Sequence, residues 1–530
     1  MIALAPVFLI LITSISIVIV KLARFKFSYF WLLASCGMLL SWPIAIITLL
    51  WLPVEFPMVS LKPGELFTIS PTLLLDKYSW PFALALVTFT LAATLTDITH
   101  PTQADQPRSS WLDMAGWLAL ATVGLLVIMA GNLAALILAW TALDFLELVI
   151  RLIRSRGEAS VEKIVKGFSA RLVSLLLAMC AGILVSTSGK SWSWEEITPS
   201  ASLCLFLAVC VRLGVLPVRL SIPEESTIPR SVRTISNLVP ALASLALIPR
   251  LVLSGIHPAA YTVLFAWIAV SAVCNGLSWA NSNNEMESLP FWISGAAALS
   301  LASALHANPT SSLVWGIALV LTGGLIFCFS LRRKWLLLFP IVGALFFSGI
   351  PFSPTWQGAS LYSTHFDLFT ILLLVSHGLL LGGYLRQAYR SRLIESTAER
   401  WTWIILPWGL SMLVLIHVFI AWWLLTSTPG ASLISLPWKD SWPGFVVLML
   451  AGLYIAWSRS GRMIPNRRLA FLRSVLSLDW LSRILTSLYH FISAFSTHLN
   501  TIWEGSAGIL LTMLVLTLLL TLLSQILGGG

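Results

Sequence analysis

The chain has 530 residues, of which 58% are hydrophobic and 10% charged, and its mean hydropathy is +0.90. These values exclude a soluble globular domain and make a lipid bilayer the solvent. The net charge of +10 would suit a nucleic-acid binder, but the basic residues gather in short segments between apolar runs, so nucleic acid is not an expected partner.

Apolar runs of about 18 residues or more recur from Ile2 to Leu527, near 2–21, 29–51, 75–96, 111–130, 132–150, 168–188, 201–217, 231–254, 258–280, 290–307, 311–331, 335–350, 366–386, 402–426, 441–458 and 507–527. Each can cross a hydrocarbon core of roughly 30 Å as a helix. The sequence therefore predicts an all-α polytopic membrane protein with about 15–16 transmembrane helices. The first run has no basic n-region or small-residue cleavage site before it and is followed by Lys21, Arg24 and Lys26, so it is expected to be retained. With the N-terminus outside and the helices alternating, five basic clusters fall on one side: Lys21/Arg24/Lys26, Arg151/Arg154/Arg156/Lys163/Lys166, Arg332/Arg333/Lys334, Arg386/Arg390/Arg392 and Arg459/Arg462/Arg467/Arg468. The positive-inside rule makes that side cytoplasmic and places the chain in a cell (inner or plasma) membrane. The six cysteines, Cys36, Cys180, Cys204, Cys210, Cys274 and Cys328, lie inside apolar runs without metal-ligand spacing and read as packing residues.

Two segments interrupt this pattern. "VRLGVLPVRLSIPEESTIPRSVR" carries Pro217, Pro223 and Pro229, and "FPIVGALFFSGIPFSPTW" carries Pro340, Gly349, Pro351 and Pro354. Proline removes a backbone donor, so a break at membrane depth survives only where protein or a hydrated cavity satisfies the freed carbonyls. Paired breaks in two halves of a chain point to an inverted-repeat transporter, whereas each alone is also compatible with a simple kink. Towards the C-terminus, "RRLAFLRSVLSLDWLSRILTSLYHFISAFSTHL" mixes apolar residues at helical spacing with Arg473, Asp479, Arg483, His490 and His498. It suits a lateral amphipathic helix along a membrane face or partner helices, followed by an anchor at 507–527.

In this order the features resemble the proton-conducting, antiporter-like membrane subunits of respiratory complex I, membrane-bound hydrogenases and Mrp-type antiporters. "LLLDKYSWPFALAL" resembles the family's Asp-x-x-Ser start of the third helix, with Asp76 and Ser79 in place. "GNLAALILAWTALDFLEL" resembles the helix that ends in Trp-Glu, here Trp140-Thr141. In "VRLGVLPVRLSIPEESTIP", Arg212 takes the family's lysine position, Pro217 the proline, Arg219 the histidine, Pro223 and Glu224 the Pro-Asp, and Pro229 the later proline. "SGIPFSPTW" resembles the Gly-x-Pro break of the second half. The resemblance implies two inverted five-helix repeats with broken helices and a membrane-plane row of ionisable residues. It suggests N-terminal transmembrane helices at 1–110, repeats at 111–254 and 255–390, additional transmembrane helices at 391–465, and the lateral and anchor helices at 466–530. It also implies partners, the other membrane subunits of a redox or antiporter assembly of the NADH–quinone oxidoreductase type, with proton or sodium as the transported ion. At each expected relay position this chain differs: glutamate has become Thr141, lysine has become Arg212, the eighth-helix basic position falls near Asn237, and the later lysine falls at Ala359.

Lysine can carry a proton because burial lowers its pKa readily, whereas arginine stays protonated. Arg212 is therefore expected to form a permanent fork to Asp144 or Glu147, which lie one and two turns beyond Thr141. An ionisable residue at membrane depth costs about 2.5–3.5 kcal/mol even on lenient scales, so Asp144, Glu147 and Arg212 are candidate functional residues, a fixed polar staple being the alternative. Arg219, Glu224, Glu225, Arg230 and Arg233 cluster after the break, either in a cavity or on a charge-balanced surface. Asp76, beside Lys77, reads equally as a cap, an interfacial anchor or a functional acid. Of the histidines near or in spans, His306, His365, His377 and His417, the mid-helix His377 is the relay candidate, with Asp367 and His365 expected on its helix. No metal, nucleotide or other cofactor site is expected, so redox chemistry would belong to partners. The reading is an ion-translocating subunit with an altered relay. A non-conducting structural paralogue and a stand-alone transporter are the alternatives.

Overall fold

The computed structural model describes residues 2–23, 29–57, 70–97, 110–155, 158–216, 229–329, 334–363, 367–390, 402–427 and 441–459, with isolated positions beyond. Met1–Ala470 forms one compact unit and Phe471–Gly530 another. The expected lateral helix and anchor lie outside the described residues, as do Pro217, Arg219, Pro223, Glu224, Glu225 and His365.

The described residues form an all-helical bundle with one small sheet. Its helices are α1 (Ala5–Ala23), α2 (Phe30–Ile47), α3 (Ser79–Asp97), α4 (Trp111–Ile128), α5 (Leu133–Arg154), α6 (Glu158–Thr187), α7 (Pro199–Leu213) and α8 (Arg230–Leu245). They continue with α9 (Ile248–Ser254), α10 (Pro258–Asn281), α11 (Glu285–Leu305), α12 (Pro309–Phe327), α13 (Leu338–Phe347), α14 (Leu368–Tyr389), α15 (Thr402–Ser427) and α16 (Trp442–Arg459). Thirteen described helical segments are long and apolar enough to cross a membrane, α8 and α9 counting together as Arg230–Ser254. The chain is a multi-pass membrane protein. Two apolar helices are shorter, Pro199–Leu213 and Trp335–Phe347, and they are the two segments in which the sequence places breaks.

Local signals start the helices where the sequence carries them. Ser110 and Asp113 form a reciprocal capping box on α4, Asn132 caps α5, and Thr198 with Pro199 at the first helical position opens α7. Each satisfies amide donors that lipid would leave bare. Burial then sorts inner from outer helices: every residue of α3 is buried except its last, and α11 and α12 are nearly as enclosed. Within α3 the hydroxyls of Thr88, Thr90, Thr94 and Thr96 donate to the carbonyls of Leu84, Leu86, Thr90 and Ala92. Such back-bonding lets polar side chains live in a dry core. Around it α15 packs on α3, α6 on α7, α10 on α11 and α14, and α16 on α14.

The sheet pairs β1 (Val54–Pro57) antiparallel with β2 (Thr72–Leu75), Val54 opposite Leu75 and Pro57 opposite Thr72. Leu73 bridges to Ala130 and Asn132 to Ser193, so three connecting segments are stitched together at one end of the bundle.

Candidate functional site

The first break comes earlier than the proline suggests. α7 ends at Leu213 because Gly214 adopts φ 66°, the left-handed conformation that glycine takes without steric cost. The Gly214 and Val215 amides then donate to the Val211 and Cys210 carbonyls. Arg212 consequently occupies the last helical turn, where the carbonyl ends of the helix favour a cation.

Arg212 forks onto Asp144 of α5, Nη1 to Oδ2 at 2.7 Å and Nη2 to Oδ1 at 2.5 Å. Its Nε donates to Ser244 Oγ of α8 at 3.1 Å, and its guanidinium lies 4.5 Å from the centre of the Trp140 ring. The two alternatives for its partner are thus resolved: Asp144 takes Arg212, and Glu147 is used elsewhere. Glu147 is held by Arg171 of α6, with Nη2 to Oε1 at 2.5 Å, and by Arg151 at 2.9 Å. Arg171 also reaches Asp144 Oδ1 at 3.5 Å, and Arg151 donates to Asn237 Oδ1 at 3.1 Å. Three arginines therefore share two carboxylates. Side-chain exposure climbs from 3% at Arg212 through 11% at Arg171 to 22% at Arg151, so the row runs from the dry interior towards the bundle edge. Arg171 escaped the sequence reading. A lone arginine inside the run 168–188 is a signal, but it does not name its partner.

Two further expectations change. Arg230 is not a surface charge: its guanidinium binds the Ile326, Phe327 and Phe329 carbonyls at the end of α12 and pairs with Glu285 at 3.2 Å. Arg233 is buried as well. Asp76 serves both as a cap and as half of an ion pair. Its Oδ1 accepts from the Ser79 amide at 2.8 Å and from Arg250 Nη2 at 3.1 Å, while Arg250 Nη1 donates to the Ala130 carbonyl at 2.7 Å. Burial pushes the Asp76 carboxyl up, but Arg250 and the Ser79 donors outweigh it and leave the group below its ordinary pKa.

The second break is held by neutral groups. α13 stops at Phe347, and Gly349 follows at φ 72°. In an unbroken helix the Phe347 carbonyl would accept from residue 351, but Pro351 has no N–H. His377 of α14 supplies the missing donor, with Nε2 2.7 Å from the Phe347 oxygen. A donating Nε2–H leaves Nδ1 to accept from the Tyr362 hydroxyl at 2.9 Å. Thr355 Oγ1 donates to the Phe346 carbonyl at 2.5 Å and accepts from the Gly349 amide at 3.1 Å. Trp315 and Phe347 present their rings edge-on to the imidazole at 4.8 and 5.0 Å. Asp367 does not extend this group along the helix. It is the N-cap of α14, accepting from the Thr370 amide and hydroxyl, because its carboxylate satisfies the first-turn donors. His306 meets Tyr261 at 3.2 Å, and His417 packs edge-on to Phe346 at 5.4 Å. Among the described residues there is no cluster of three side chains able to hold a metal ion.

No protein-family model and no curated protein matches the sequence. Solved structures do. A chain of the membrane-bound sulfane sulfur reductase, an archaeal respiratory membrane complex, superposes with a TM-score of 0.66 at 15% identity, over 97% of this chain and 99% of that one. A chain of the Mrp complex from a Dietzia species gives a TM-score of 0.71 at 14% identity, over 97% of this chain and 62% of that one. The chain shares the fold of these two membrane-complex chains. It spans less than two thirds of the Mrp chain that it matches.

The positions at which the resemblance expects relay residues can now be placed in the fold. Thr141 lies on the exposed face of α5 and bonds its own Ile137 carbonyl, away from Arg212, and the acid that meets Arg212 is Asp144. Asn237 is bonded by Arg151 and donates to the Arg233 carbonyl. Ala359 is buried against Gly349 at the second break.

Proposed function

We propose that this chain is a membrane subunit of a complex I-like, ion-translocating assembly, and that its first-half charge site is a fixed electrostatic element instead of a proton carrier. The forked Arg212–Asp144 pair carries the proposal. A carrier must exchange a proton, and arginine does not release one in proteins. Asp144 in turn faces two guanidinium groups. The fold and the two breaks support the assembly role, with other membrane subunits as partners, two inverted repeats around the breaks, the N-terminus outside and the basic loops in the cytoplasm of an inner or plasma membrane. Purification in mild detergent from the native membrane tests the partners: co-migration with other membrane subunits is expected, and migration alone overturns the subunit role. Proteoliposomes with an internal pH dye test the site. The unmodified chain is expected to add no proton flux that depends on Arg212, while Arg212→Lys introduces one. Robust flux in the unmodified chain that Arg212→Leu abolishes overturns the proposal.

A second reading, proton passage through the second half, is favoured by one observation. His377 donates Nε2–H to the freed Phe347 carbonyl and accepts from the Tyr362 hydroxyl at Nδ1, so Nδ1 is the side on which it could take up a proton. Flux that is lost in His377→Leu but kept in Arg212→Leu would select it. Absence of flux in every variant selects a structural subunit.

A further inference from the structure

The contacts of α16 concentrate on the second break and on the helix that bears His377. At its first turn, a Cβ added to Gly444 would lie 2.7 Å from the Gly349 carbonyl carbon and oxygen and from the Ile350 nitrogen. The helix backbone thus rests directly on the broken peptide. Ser441, just before the helix, accepts from Trp356 Nε1 at 3.2 Å, on the far side of the same break. Further along, a Cβ on Gly378, the residue after His377, would lie 2.7 Å from Leu450 Cβ. Tyr454 packs at Gly382 and donates to the Ala280 carbonyl at 2.6 Å. The opposite face, with Phe445, Met449 and Leu453, is exposed, and only 28% of the residues of α16 are buried, the smallest share among the thirteen described spans.

We propose that α16 is a gate on the second break. Seated, it covers the Gly349–Ile350 peptide and keeps the surroundings of His377 dry. Displaced, it opens a water path from the break to His377. The physics follows from three facts together. A broken helix at membrane depth must be covered by protein or by water, and here the cover is a close backbone approach at Gly444, with Leu450 and Tyr454 seated on the glycines of α14 further along. At the seat on the break Trp356 Nε1 donates to Ser441 Oγ, the residue that precedes α16. A helix that buries so little surface separates from its neighbours at lower cost than α3, α11 or α12, because packing contacts drive helix association in lipid. Small residues at both ends of the contact, Gly444 and Gly378, mean that one added methyl group at either place prises the helix away. The inference rests on packing and stands independently of whether ions cross the chain.

Ala359, buried at the break within 4 Å of a Cβ placed on Gly349, is the reporter position. In the full chain with its native cysteines replaced by alanine, Ala359→Cys is reacted with a water-soluble thiol reagent and the labelling rate is followed. Gly444→Ala and Gly378→Ala are each expected to speed labelling by about tenfold or more, as a population shift towards the open state requires. Gly452→Ala is the matched control, since Gly452 is on the same helix and a Cβ there meets nothing within 4 Å; its rate stays that of the parent. Ser441→Ala deletes the hydrogen bond without adding bulk and gives the same acceleration, which keeps the test decisive if a glycine variant does not fold. Equal labelling rates in all folded variants, or fast labelling in the parent, overturn the gate.

Discussion

Removing Asp144 and removing Arg212 are unequal perturbations, although they delete the two halves of one pair. In Asp144→Leu the guanidinium of Arg212 keeps only Ser244 Oγ and the face of Trp140, a hydroxyl and a ring in place of a carboxylate fork. Stranding a buried charge in this way costs about 3–5 kcal/mol. In Arg212→Leu the Asp144 carboxylate still has Arg171 at 3.5 Å, so the loss is nearer that of a charged hydrogen bond, about 1.5–3 kcal/mol. The double variant replaces both charges by apolar side chains and leaves Glu147 with Arg171 and Arg151, so it should lie within about 2 kcal/mol of the parent. The resulting double-mutant coupling is at least about 2.5 kcal/mol, well above the ~0.6 kcal/mol average for single interhelical hydrogen bonds in membranes. Denaturant unfolding in mixed micelles, followed by circular dichroism for the four proteins, measures it. A coupling under about 1 kcal/mol, or an Arg212→Leu that costs more than Asp144→Leu, refutes both the fixed-pair argument and the role given to Arg171.

Because the folded-state pKa of Asp76 is depressed, its pairing contributes stability that is complete above the unfolded value near about 3.9 and is lost as pH falls through the folded value. Asp76→Asn should therefore lower Tm at neutral pH and flatten the acid side of a Tm–pH profile, whereas parallel profiles would deny the Arg250 pair any weight. At His377, ¹⁵N NMR of histidine-labelled protein should show the neutral Nε2–H form with Nδ1 accepting, and a dominant Nδ1–H signal would contradict the bond to Phe347. Gly214→Ala should destabilise by about 1–2 kcal/mol, the cost of a left-handed alanine, and Gly214→Asn by less. If Gly214→Ala is neutral in thermal unfolding, the α7 terminus does not need the conformation described.

What the sequence made legible follows from which forces act locally. Span length and apolarity are local, so the helices were found by counting, and the two short helices, α7 and α13, fell where prolines cluster. An isolated charge at membrane depth demands a counter-charge, so a partner for Arg212 could be expected on α5, but two acids one turn apart were equivalent until the helix rotation was known. Arg171 and Arg250 illustrate the limit. Each is a single arginine near the end of an apolar run, where snorkelling to the interface is the ordinary fate, and only the neighbouring helix decides that it turns inward. Gly214 was overshadowed by Pro217, although a glycine in the left-handed conformation can end a helix before a proline needs to. That the Phe347 carbonyl would be orphaned was implicit in Pro351. That His377, thirty residues away, would satisfy it depends on tertiary packing.

The two breaks therefore answer one problem by different chemistry, and the difference bears on where a proton could be taken up. At the first, formal charges face each other permanently, and arginine has no second protonation state to offer. At the second, His377 can hold either state while keeping its Nε2–H on the Phe347 carbonyl, since an imidazolium would need only the Tyr362 hydroxyl to turn and accept from Nδ1. Around it stand two aromatic rings, a phenol, and no carboxylate among its described hydrogen-bond partners. An unpaired charge in such a place is costly until water reaches it. Hydration of the break and charging of His377 must then favour one another by linkage. If α16 is what keeps water out, any partner that shifts α16 also shifts the protonation of His377, with no contact of its own to the histidine.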